Sequence, residues 1–151
     1  MKSSLAAAAM LAATLSFPAH AQVTVDSPWV RATVPGQKAT GAFMTLRSPQ
    51  DARFVEARSP VAGVVEIHEM KHEGGMMRMN AIASLPLPAG RHVDLRPGGY
   101  HVMLMDLKKP IAEGDAVPLT LVFEGADRKR VTMEVTATAR PLASEPPKHA
   151  H

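Results

Sequence analysis

The sequence predicts an all-β domain, a sandwich or barrel of short strands. Three observations carry the prediction. Beyond the first residues, no segment sustains an apolar period of about 3.6 residues. Short runs rich in β-branched and aromatic residues recur at a spacing of roughly 8–12 residues. Glycine and proline punctuate the intervals between them.

In chain order, Val23-Thr24-Val25 and Trp29-Val30-Arg31 read as a short extended segment interrupted at Pro28. Gly41 to Leu46 is a second β-rich run, Phe54 to Ala57 a third and Val64 to His68 a fourth. Met76 to Ile82 is a fifth, and Gly74-Gly75 before it marks a hairpin. Leu85 to Leu95 contains Pro86, Pro88 and Gly90 and is expected to be mostly loop. Tyr100 to Leu107 alternates as a strand should. Val117 to Phe123 and Arg130 to Thr138 are expected to pair around Gly125-Ala126-Asp127.

Residues 1–21 have the features of a secretory signal: Lys2, the apolar run Leu5 to Phe17, and Ala19-His20-Ala21 as a cleavage site. The mature protein is expected to start at Gln22, with one domain over 22–140 and a flexible tail over 141–151. The leader's apolar run is short for a transmembrane span, and no membrane span is expected. No cysteine stands near Ala21, so a lipid anchor is not expected there. The chain has no cysteine at all, which excludes disulfides, thiolate metal sites and thiol redox chemistry. The formal charge of +3 is spread out, without a basic run interleaved with aromatics, so nucleic acid is not an expected partner.

Chemistry concentrates between His68 and Met103. His68, Met79, His101 and Met103 offer two imidazoles and two thioethers, separated by ten, twenty-one and one residues. Such a soft, uncharged set suits a monovalent soft ion, and Cu(I) is the expected metal. Thioethers need no deprotonation and form no disulfides, which fits an oxidising compartment. Strand alternation puts His101 and Met103 on one face, with Val102 and Leu104 directed to the core. A Gly74-Gly75 hairpin would place His68 and Met79 on paired strands.

In all four positions and all three spacings the chain resembles the PCuAC family of periplasmic copper chaperones. Gly98-Gly99-Tyr100 and Leu119 to Phe123 also look like that family's recurring text. The resemblance implies a cupredoxin-like Greek-key β-sandwich, a periplasmic location and one Cu(I) held by His68, Met79, His101 and Met103. It further implies delivery to the copper subunit of cytochrome c oxidase during assembly, alongside a Sco-type thiol protein. A monomer is expected. Family members often carry C-terminal extensions that bind Cu(II), and His149 and His151 make a short version of one.

Other residues have blander readings. Met70, Met76, Met77 and Met105 are individually expected to pack rather than ligate. His72 is expected to face solvent and His92 to be structural. Glu66 and Glu69 are either acceptors for imidazole N–H groups or solvated carboxylates. No hydrolase or phosphate-binding motif appears, and thioether ligands do not favour a hard, water-activating metal, so no enzyme is expected. Two other functions fit the same residues. One is passive copper sequestration; the other is a metal-free interaction module whose methionines contact a partner.

Overall fold

The computed structural model describes residues 22–141. The expected leader and all but the first residue of the expected tail, including His149 and His151, lie outside the described residues. Ten strands follow one another without a helix among those described: β1 Thr24–Arg31, β2 Ala39–Arg47, β3 Ala52–Arg58, β4 Ala62–Glu73, β5 Met76–Ala81, β6 Leu85–Leu87, β7 His92–Leu95, β8 His101–Leu107, β9 Ala116–Gly125 and β10 Arg130–Arg140. They join in the order β5-β4-β8-β2-β1-β10-β9-β3-β6, with β7 added to β2. Every pairing is antiparallel except β1 with β10.

The inner faces close over one apolar core. Val30, Leu46, Phe54, Val102, Leu104 and Leu121 have no solvent exposure. Phe54 and Phe123 sit opposite each other on β3 and β9, ring centres 5.3 Å apart. β8 illustrates the pattern: Val102 and Leu104 enter the core, while His101, Met103 and Met105 leave by the other face.

Three local readings need correction. Pro28 does not interrupt the first strand. Ser27 adopts φ 49° and the register shifts between Asp26 and Trp29, so a bulge absorbs the proline within β1. The stretch from Leu85 to Leu95 is not mostly loop, because β6 and β7 lie in it. β6 is the last strand of the sheet, where a proline costs no ladder bond, and Leu85 and Leu87 flank Pro86 with side chains almost fully buried. Finally, β4 runs well past His68 to Glu73 as one arm of a hairpin that stands out from the core.

Candidate metal centre

β4 is the middle strand of the site, with β5 on one side and β8 on the other. His68 lies directly opposite His101, Glu66 opposite Met103, and Met70 opposite Met79. All these side chains leave by the face away from the core. The four residues singled out from sequence are therefore brought to one face of three adjacent strands.

The hairpin register refines the expected pairing. His68 and Met79 do lie on paired strands, but His68 faces Ala81 and the partner of Met79 is Met70. The turn explains this. Gly74 and Gly75 have φ of 58° and 78°, as a two-residue hairpin loop requires, and they bring Glu73 against Met76. Counting back three residues along each strand from that pair gives Met70 against Met79. Met70, expected from sequence to pack, lines the same pocket as Met79, and the Gly-Gly turn is the sequence signal that places the two opposite each other.

Each imidazole is aimed through one nitrogen and free at the other. His101 Nδ1 donates to the Gly99 carbonyl at 3.0 Å. That carbonyl is presented by a tight turn, in which Gly99 N–H bonds Arg96 O at 2.9 Å, Pro97 leads and Gly98 takes φ 84°. His68 Nε2 donates to Glu66 Oε2 at 2.8 Å. Both acceptors lack a proton to give, so in the neutral rings the lone pairs sit on His68 Nδ1 and His101 Nε2. Those two atoms are buried and have no hydrogen-bond partner. A buried polar atom left without a partner costs about 1–3 kcal/mol, a cost that a bound metal ion would remove.

The ring centres of His68 and His101 are 5.6 Å apart. Burial holds His101 below the ordinary imidazole pKa, the neighbouring His68 adds to the depression, and the bond to Gly99 opposes it. The ring is thereby kept in the neutral form that binds metals. Beside it opens a pocket of about 260 Å³, lined by His101, Met103, Met79, Met70, Gly41 and Arg31 among others. Gly41 faces Met103 across β2 and β8, and a methyl group there would lie 2.8 Å from the Phe43 ring. The missing side chain keeps the pocket open.

Among the described residues, no group of three or more His, Cys, Asp and Glu side chains is placed to hold a metal ion. The donors gathered near the imidazoles are thioethers, and that set fits a soft ion rather than zinc or magnesium. Of the remaining residues, Glu69 pairs with Lys71 at 3.3 Å and does not reach an imidazole. His72 is exposed, opposite Met77 on the hairpin, and His92 is exposed at the start of β7. Met76, Met77 and Met79 present large exposed surfaces along β5.

A family model described as LpqE-like matches residues 23–135. The chain belongs to this family, which is the PCuAC family. Lxx21020 of Leifsonia xyli subsp. xyli, which carries a lipoprotein name, is 32% identical over 114 residues, covering 75% of this chain and 69% of that protein. The family name and this relative's name are those of exported proteins. Among solved structures, the solution structure of Cu(I)-loaded DR1885 from Deinococcus radiodurans superposes with a TM-score of 0.61 at 35% identity, covering 85% of this chain and 83% of that one. The copper-bound PCuAC domain of PmoF2 gives 0.58 at 25% identity over 78% and 93%. The ten-stranded all-β architecture is accordingly the cupredoxin-like fold that the PCuAC resemblance implied. No helix among the described residues is long and apolar enough to cross a membrane.

Proposed function

We propose that this protein is a monomeric periplasmic copper chaperone that holds one Cu(I) through His68, Met79, His101 and Met103. The observation that carries the reading is the pair of buried ring nitrogens, His68 Nδ1 and His101 Nε2, left without partners, with His101 lining a pocket shared by Met70, Met79 and Met103. Copper in solved PCuAC domains supports it. The destination is the copper subunit of cytochrome c oxidase, with a Sco-type thiol protein as co-worker; that part rests on family membership. Transfer proceeds by ligand exchange, since neutral thioethers on an exposed strand yield their metal readily. His149 and His151 add a weak Cu(II) site.

Anaerobic Cu(I) titration against a competing chelator tests the reading. One tight equivalent is expected, lost in the double variant His68→Ala, Met79→Ala. Equal weak binding by both proteins would favour a metal-free interaction module. Delivery is tested by mixing the loaded protein with the apo copper domain of the oxidase. Failure of that domain to gain copper would leave sequestration as the function.

A further inference from the structure

Arg31 enters the pocket from the end of β1. Its backbone carbonyl is held by Thr40 Oγ1 at 2.7 Å, and its guanidinium lies over the Phe43 ring, Cζ 5.6 Å from the ring centre. Phe43 stands 6.3 Å from the His101 ring, so the guanidinium carbon is within about 12 Å of that ring's centre. The Arg31 Nε is buried without a hydrogen-bond partner. Arg31 belongs to none of the ion pairs among the described residues. The pocket that it lines contains no acidic side chain. The acidic side chain at the site is Glu66, which stands on β4 opposite Met103, bonds His68 at 2.8 Å and has a half-exposed carboxylate, so water screens it from Arg31, three strands away.

A guanidinium remains charged at every accessible pH. Arg31 is therefore a fixed positive charge, held in place by stacking, beside a donor set with no charge of its own. We infer that Arg31 is a specificity-determining residue that discriminates between copper ions by their charge, admitting Cu(I) and penalising Cu(II) twice as strongly. The inference rests on the copper reading above and deepens it. Coulomb energy is linear in the ion's charge, so removing Arg31's charge multiplies the affinity for Cu(I) by some factor and that for Cu(II) by its square. At an effective dielectric of about 20, a separation at the upper bound of about 12 Å gives a factor of roughly ten for Cu(I) and roughly a hundred for Cu(II).

The test is a pair of competition titrations, one with Cu(I) under anaerobic conditions and one with Cu(II). Both are done in a background with His149→Ala and His151→Ala, so that the pocket alone is read. Arg31→Gln is expected to bind both ions more tightly, with the Cu(II) gain close to the square of the Cu(I) gain. Arg31→Met keeps the stem over Phe43 and carries the same expectation if Arg31→Gln fails to fold. Arg31→Lys keeps the charge and should leave the ratio of the two constants unchanged. Arg140→Gln removes a cation one strand further out, where Arg140 stacks 5.3 Å from the Trp29 ring, and should have a smaller effect of the same form. Equal shifts for the two ions, or weakening of both, would overturn the inference and make Arg31 a packing residue. If the protein with Arg31 intact takes up no Cu(I), the copper reading itself fails and this inference fails with it.

Discussion

His68 and His101 face each other across β4 and β8 with their ring planes inclined by 53°, and each is tethered by one nitrogen, Nε2 of His68 and Nδ1 of His101. Two buried rings with opposite tautomers would supply half of the proposed coordination sphere, already oriented before any metal arrives. That preorganisation depends on the tethers as well as on the rings.

Glu66→Gln tests one tether. The amide can still accept through its oxygen, but it withdraws the negative charge that makes the imidazole more basic. Loss of such a partner typically costs 10–100-fold in metal affinity. Because Glu66 is half exposed, the expected loss is near ten. Competition titration reads it, and an unchanged dissociation constant would show that the β4 backbone alone aims the ring.

Met70 sits opposite Met79 and lines the same pocket. A thioether one strand away can take over when its neighbour is removed. Met79→Leu is therefore expected to weaken Cu(I) binding by less than about tenfold, and Met70→Leu alone to change it little. The double variant should lose more than the two single losses combined, as expected for side chains that share a partner. Strictly additive losses would mean that Met70 only packs.

Gly41→Ala puts a methyl group 2.8 Å from the Phe43 ring. That ring cannot easily retreat, because it is 4% exposed and its centre lies 4.6 Å from that of Trp29. Overpacking of this kind costs about 1–3 kcal/mol. Denaturant unfolding should show that loss in the metal-free protein, together with weaker Cu(I) binding as the ring is pushed toward His101.

The depressed pKa of His101 makes the metal-free fold sensitive to mild acid. In the unfolded chain the ring titrates near 6.5, and in the folded one below it. Between those values the unfolded chain binds more protons, so stability rises with pH through the window. It is fully present above about pH 6.5 and falls as pH drops toward the folded pKa. Urea midpoints at pH 7.5 and 5.5 should show the decline, and His101→Gln should reduce it. A pH-independent midpoint for the unaltered protein would contradict the assignment.

That His68, Met79, His101 and Met103 would share one face was legible because their chemistry and spacing are local properties, and the strands were legible wherever apolar and polar residues alternate, as in β8. It concealed β6 and β7, since Pro86, Pro88 and Gly90 signal a loop and only position at the sheet's end makes Pro86 harmless. The far half of β4 was hidden for another reason: Glu69 to Glu73 buries little, so no apolar rhythm marks it. Arg31, Phe43 and Gly41 reach the site only because β2 lies next to β8 and β1 next to β2, and no feature of their own neighbourhoods announces that. The position of Met70 opposite Met79 follows from the two-residue turn.

β5 is the end strand of the sheet on the side of the site and bonds only to β4. Strands with a ladder on one side fray more readily than strands held on both. His68, His101 and Met103 stand on doubly held strands, whereas Met79 stands on the one that opens first. Their donor groups should therefore detach in sequence. With copper held as proposed, opening β5 would withdraw a single thioether and uncover one coordination position, while three donors would still grip the ion. An ion held in this way could be approached by an incoming ligand without ever being set free in solution.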